Sequence, residues 1–309
     1  MGTPLHVAQI GLGAIGSIFV GHLVRAGVRL RVYDARPERV AAAVGMGATG
    51  TASIAEAVEG VDSLLVSLPD PEASRTVLLG PAGAIALLRA GGTILDLSTI
   101  DPDTARLNEA AALARGIQYL EAPISGGEPM SAGVDGARNR NVTFMGGGTR
   151  AAFEAAMPLM TILGAHPLHL GPAGTGATVK LISNYFAGLH NLVAAEAFAL
   201  GRAAGISIET MLATFAHTDA NSYWLFNYFA PRLQSGDFEP GFSVDLQYKD
   251  LRLCEDIARR HKVPMPLNGL ALQLYQVLRG TGRGGKDLVE AANLMAELSG
   301  LSPYDAPAS

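Results

Sequence analysis

The chain has 309 residues, enough for two domains with buried cores of their own. Apolar residues make up 49% and charged residues 17%, which excludes a disordered chain, and a formal net charge of −5 excludes a global attraction to nucleic acid or anionic membrane. A single cysteine, Cys254, leaves neither an intrachain disulfide nor a multi-cysteine zinc site; lying in an amphipathic run, it reads as a small buried hydrophobe rather than a redox thiol.

No apolar stretch reaches the ~18 residues of a membrane span. The most apolar long segment, residues 178–200, is interrupted by Lys180, Asn184, His190, Asn191 and Glu196. The N-terminus lacks a basic region with an apolar core behind it, so the expected location is cytoplasmic. No histidine pair stands at metal-ligand spacing with nearby carboxylates, and no metal is expected.

In the first half, short apolar runs alternate with helical patterns. Candidate strands cover residues 5–10, 30–33, 63–68, 93–97, 119–122 and 142–145. Helical stretches such as 14–26, 71–79 and 102–115 lie between them. Strands without side-chain alternation, separated by helices, predict a parallel sheet covered on both faces: a Rossmann-type, doubly wound α/β domain.

The first strand runs into Gly11-Leu12-Gly13-Ala14-Ile15-Gly16 and then an apolar helix. In that setting G-x-G-x-x-G is a dinucleotide turn: Gly11 permits the bend, Gly13 lets backbone approach a pyrophosphate, and Gly16 lets helix pack on sheet. The helix N-terminus offers the pyrophosphate unpaired N–H groups and a positive dipole end. The second strand ends in Asp34, about 20 residues on, where a carboxylate binds the adenosine ribose hydroxyls and repels a 2′-phosphate. NAD is therefore preferred, with NADP left open by Arg36 in the following loop.

Gly171-Pro172-Ala173-Gly174 punctuates the chain. The expected division is a dinucleotide-binding domain over residues 1–172 and an all-helical domain over 173–309. Beyond the punctuation a long helix spans 175–204 and stops at Gly205, and further helices are expected over 208–217, 244–261, 266–279 and 286–298. The aromatic cluster 223–229 reads as core or subunit interface.

Three further segments carry a resemblance. Leu120-Glu121-Ala122-Pro123-Ile124-Ser125-Gly126-Gly127, then residues 174–184 with Lys180 and Asn184, then Phe242 through Lys249-Asp250-Leu251 resemble the substrate segment, catalytic helix and Lys-Asp segment of the β-hydroxyacid dehydrogenase family. Val66-Ser67-Leu68-Pro69 and Asp96-Leu97-Ser98-Thr99-Ile100 fall where that family has cofactor-contacting loops. Order and spacing agree from residue 5 to residue 290.

The resemblance implies an NAD(P)-dependent enzyme interconverting a small 3-hydroxy acid and its semialdehyde. Lys180 is then the general acid/base, with Ser125, Gly126 and Gly127 at the substrate carboxylate. Leu68, Pro69 and Thr99 would contact the cofactor, Lys249 would lie near nicotinamide and substrate, and the long helix would join two copies into a homodimer or homotetramer. The residues support this chemistry on their own terms. Alcohol oxidation needs a proton acceptor beside the departing hydride, and Lys180 and Asn184, four apart, share one helix face. An ordinary lysine, with a pKa of about 10.4, is a poor base at neutral pH, so burial and the oxidised nicotinamide are expected to lower it.

The chain departs from the family at Glu121, where Asp is commoner, at Ser183, which replaces an asparagine, and in a longer link over residues 130–141. That link holds Arg138, Asn139, Arg140 and Asn141, which fit either an anion-binding rim or a solvated loop. Two rival functions remain: an imine reductase, which shares the architecture but generally lacks a lysine at position 180, and a non-catalytic dinucleotide sensor or scaffold.

Overall fold

The computed structural model describes residues 5–126 and 133–304. The chain forms two compact units that divide at Lys180 and Leu181. The first carries β1 (His6–Ile10), α1 (Ala14–Arg25), β2 (Arg29–Tyr33), α2 (Pro37–Gly45), β3 (Thr49–Gly50), α3 (Ile54–Val58), β4 (Ser63–Val66), α4 (Pro71–Leu79), α5 (Ala84–Leu87) and β5 (Thr93–Asp96). These are followed by α6 (Pro102–Leu113), β6 (Gln118–Glu121), β7 (Ile124–Gly126), α7 (Gly133–Arg138), β8 (Val142–Gly148), α8 (Arg150–Leu163), β9 (His166–Gly171) and the start of α9 (Thr175–Ala203).

The strands form one nine-stranded sheet in the order β3-β2-β1-β4-β5-β6-β8-β7, with β9 also on β8. From β3 to β6 every pairing is parallel, and the order reverses between β1 and β4, which makes this a Rossmann-type doubly wound sheet. Neighbouring residues bury on opposite faces. Val7, Leu65, Leu95 and Leu120 pack under α1 and α8, whereas Ala8, Leu64, Ile94 and Tyr119 face α3, α5 and α6. A strand buried on both sides cannot alternate in polarity, hence its unbroken apolar run.

Three strands were not expected, β3, β7 and β9, and β8 runs antiparallel to β6 rather than parallel. β3 has two residues and β7 three, too few for any period to register. β9 opens His-Pro and is mostly half-exposed, so it lacks the apolar signature of its inner neighbours. Of the longer link, residues 133–141 are described. Its helix α7 packs on α1 and β7, and Ala137 is fully buried. Arg138 pairs with Asp135, and Arg140 donates to Thr161 O.

The second unit is all helical among its described residues. It continues α9 and adds α10 (Ile208–Phe215), a π-helical turn (Leu225–Phe229), α11 (Ala230–Ser235), α12 (Val244–His261), α13 (Pro266–Gly280) and α14 (Ala291–Leu298). The helix expected over 286–298 is a 3-10 turn (Leu288–Glu290) followed by α14. The break lies at Asp287, fully buried, whose carboxylate takes Tyr228 Oη, Gly241 N, Phe242 N and Val289 N. Four donors drawn from three segments hold that residue out of a helix. Cys254 is 4% exposed and belongs to the core, and Trp224 stacks on buried Tyr228 with ring centroids 4.3 Å apart. Among the described residues no helix is long and apolar enough to cross a membrane, and no group of three or more His, Cys, Asp or Glu could hold a metal ion.

Candidate active site

The glycine turn is shaped by contacts that exclude side chains at two positions and leave a third open. Gly11 has φ +93°, and a Cβ there would overlap Ser67 O. A Cβ on Gly16 would overlap Gly11 O, since α1 starts directly against the end of β1. At Gly13 the nearest atom to a Cβ is Arg39 Nη1, 4.0 Å away, so protein packing does not require glycine there. Gly13 is also the N-cap of α1 and provides no side-chain acceptor. The helix thus begins at an open, uncapped backbone surface formed by Gly13, Ala14 and Ile15, which fits a dinucleotide pyrophosphate.

Asp34 stands at the end of β2 with its side chain 8% exposed. It accepts Leu12 N at 2.7 Å and Arg36 N at 2.9 Å, and Arg39 Nη1 lies 3.5 Å from Oδ2. The carboxylate is therefore tied to the glycine turn itself. Arg36 joins through its backbone, while Arg39, one helical turn later, supplies the guanidinium. The position of Arg39 was not legible in the sequence, where it falls among ordinary helix charges.

The two loops expected to contact the cofactor are bonded together. Ser98 Oγ accepts Leu68 N at 2.9 Å, and Ser98 N donates to Asp96 Oδ1 at 3.0 Å. Asp96 is fully buried, and it also accepts Tyr119 Oη and Ser74 Oγ. Burial raises the carboxyl above the usual range, against the hydrogen bonds from Ser98, Tyr119 and Ser74. Leu68 and Thr99 are half-buried and Pro69 is exposed. In the sequence Asp96 stood only as the first residue of its loop; in the structure its carboxylate holds Ser98, whose hydroxyl ties that loop to Leu68.

Ser125 and Gly126 lie half-buried on β7, paired with Thr143 and Val142 of β8. Gly127 lies outside the described residues. Lys180 is half-buried in the second turn of α9. Asn184, one turn further along that helix, is 6% exposed and donates from Nδ2 to Asp250 Oδ2 at 2.5 Å. Asp250 in turn holds Lys249 Nζ at 3.0 Å, and Gln247 Nε2 donates to Asn184 O at 2.9 Å. The second unit thus joins Asn184 and Lys249 through a carboxylate that is only 2% exposed. Asp250 was visible only as the neighbour of Lys249, because adjacent Lys-Asp is commonplace on helices.

A doubly wound sheet with an open glycine turn and a carboxylate at the end of β2 defines a dinucleotide-binding protein. Comparison with known proteins narrows the class. A family model described as the NAD-binding domain of 6-phosphogluconate dehydrogenase matches residues 6–171, and one described as NAD-binding of NADP-dependent 3-hydroxyisobutyrate dehydrogenase matches 174–295. The 2-(hydroxymethyl)glutarate dehydrogenase of Eubacterium barkeri is 31% identical, with 98% of each chain covered. The 3-sulfolactaldehyde reductase of Escherichia coli is also 31% identical, over 91% of this chain and 92% of its own. A solved structure of 3-hydroxyisobutyrate dehydrogenase from Mycobacterium tuberculosis aligns with TM-score 0.85 at 28% identity, covering 95% of this chain and 99% of that one. The chain belongs to the β-hydroxyacid dehydrogenase family, and it is an NAD(P)-dependent oxidoreductase acting on CH–OH groups.

Proposed function

We propose that the enzyme interconverts a small 3-hydroxy acid and its semialdehyde, with Lys180 moving the proton. When bound, the nicotinamide accepts or returns the hydride at carbon. In the oxidative direction the neutral Lys180 amine takes the hydroxyl proton while that carbon gives up its hydride, leaving a carbonyl and an ammonium. Asn184 orients the same oxygen, its amide set by Asp250. Ser125 and Gly126 on β7, with Gly127, bind the substrate carboxylate. The three relatives named above act on acids or aldehydes of this size, which supports the substrate class.

The observation that carries this reading is the pairing of Lys180 with Asn184 one helical turn apart on α9, Asn184 being locked from behind by a buried carboxylate. The test is Lys180→Ala, assayed by nicotinamide absorbance against a panel of small hydroxy acids and semialdehydes. Turnover is expected to fall by about 10²–10⁴-fold with cofactor affinity unchanged. Unchanged turnover removes the assignment.

NAD is the preferred cofactor in this reading, because Asp34 repels a 2′-phosphate. Arg39 beside it moderates that repulsion, so the preference is graded rather than absolute. In this reading the enzyme works as a homo-oligomer in the cytoplasm. Ile182, Phe186, Val193 and Leu200 on α9 are 46–72% exposed at spacings of four and seven. That apolar stripe on one long helix suits a second copy of the same chain.

A further inference from the structure

α9 begins without a cap of its own. The residue before its first turn is Gly174, which has no side chain and sits at φ +92°, a conformation that disfavours the Ser, Thr, Asp or Asn usual at an N-cap. The first N–H groups of a helix have no acceptor within it, and burial makes leaving them unpaired costly. Here the acceptor comes from the sheet. Glu121, the last residue of β6, is fully buried, and its Oε1 accepts Gly174 N at 2.8 Å and Ala177 N at 3.1 Å.

The surrounding backbone is built around this contact. A Cβ on Gly147 of β8 would overlap Glu121 Oε1 and stand 2.9 Å from Gly176 N. A Cβ on Gly176 would overlap Met145 O. Glycines on both sides therefore let β8 and the first turn of α9 close on one carboxyl. The second oxygen, Oε2, is buried and has no hydrogen-bond partner among the described residues.

We infer that Glu121 is a positioning residue for the reaction: it caps α9 from the sheet and thereby fixes where Lys180, in the next turn, stands. The inference rests on the reading of Lys180 as the proton-transfer group. Lys180 follows Ala177 by three residues, so a tilt or fraying of the first turn is carried directly into the Lys180 backbone. This carboxyl anchors the Gly174 and Ala177 amides from the sheet side, and a misplacement of about 1 Å at a catalytic group can cost on the order of 100-fold in rate. Burial also lifts the carboxyl to about pKa 8, with the neighbouring Asp96 adding to the rise and the Ala177, Gly174 and Gly176 amides opposing it. The groups facing it are Asp96 on β5 and Tyr119 on its own strand, and the α9 side presents backbone amides.

The experiment compares Glu121→Ala, Glu121→Gln and Lys180→Ala in the full-length enzyme. Three readouts are taken: amide hydrogen exchange over residues 174–180, cofactor Kd by fluorescence titration, and kcat and KM on the best substrate of the hydroxy-acid panel. Glu121→Ala is expected to speed exchange at those amides at least tenfold and to lower kcat about 10- to 100-fold, with cofactor Kd and KM within about threefold. Glu121→Gln, which keeps an acceptor oxygen, rescues both exchange and kcat. Wild-type exchange in Glu121→Ala overturns the cap, and fast exchange with wild-type kcat overturns the positioning role. If Glu121→Ala does not fold, Gly147→Ala displaces the same carboxyl by its methyl and is expected to reproduce the pattern; wild-type exchange and kcat in that variant count against the inference. Full activity in Lys180→Ala would remove the catalytic reading, and with it the positioning role, while the exchange data still report on the cap.

Discussion

Two alanines placed three residues apart in the glycine turn should behave in opposite ways. At Gly16 the new methyl meets Gly11 O, and Gln9 Nε2, which donates to Gly16 O at 2.7 Å, would stand 3.1 Å from it. Neither the strand end nor the helix start can retreat cheaply, so Gly16→Ala should lose roughly 1–3 kcal/mol of stability before any cofactor is added. At Gly13 the methyl points into open space, 4.0 Å from the flexible end of Arg39, and φ is −66°, which any residue accepts. The folding cost is then only that of alanine at an N-cap, under about 1 kcal/mol. The same methyl stands where a pyrophosphate must approach the amides of α1, and weakening of cofactor by about 10- to 100-fold corresponds to roughly 1.4–2.7 kcal/mol. Urea unfolding of the cofactor-free protein and fluorescence titration with NAD separate the two quantities. Wild-type NAD affinity in Gly13→Ala would refute the assignment of that surface to the pyrophosphate. A fully stable Gly16→Ala would refute the close strand–helix approach.

Other consequences can be measured alongside. Asp34→Ser is expected to weaken NAD and tighten NADP, moving the ratio of their dissociation constants at least tenfold toward NADP; an unchanged ratio means that Asp34 does not discriminate. Asp250→Ala removes the carboxylate shared by Asn184 and Lys249 and should lower kcat and cost about 1–3 kcal/mol of stability. Asp250→Asn should recover most of the stability, as judged by urea midpoints. Ser98→Ala frees Leu68 N and should weaken cofactor about fivefold, near the ~1 kcal/mol of one hydrogen bond, in the same titration. Glu121 has a folded-state pKa raised from 4.5 to about 8, so the folded state holds its proton more tightly than the unfolded chain. Its contribution to stability is complete below about pH 4.5 and is lost as pH rises through about 8. Glu121→Gln should flatten the decline of unfolding free energy between about pH 4.5 and 8, and an unaltered slope assigns that decline to other groups.

The parts of the fold read correctly from sequence share one property: their signal is local and long. The inner strands are buried on both faces, so each appears as an unbroken apolar run, and α9 repeats its pattern over 29 residues. β7 and β3 are too short to register a period, and β9 needs β8 beside it to be a strand at all. The helix expected over 286–298 was interrupted because Asp287 bonds to residues 228, 241 and 242, which are distant in sequence. The candidate site divides in the same way. Lys180 and Asn184 could be paired from their spacing, whereas the partner of Asn184 lies 66 residues away and the acceptor for Gly174 lies 53 away.

Sequence alone determined the doubly wound sheet, the glycine turn with Asp34, and the helix bearing Lys180 and Asn184, because each follows from neighbours within a few turns or one strand–helix unit. Tertiary structure decided which buried carboxyl serves which element: Asp96 for Ser98 in the loop after β5, Asp250 for Asn184 and Lys249, Glu121 for the start of α9. The reason is physical. A buried acid must find donors wherever the packed chain supplies them, and those donors are chosen by the fold rather than by proximity along the sequence.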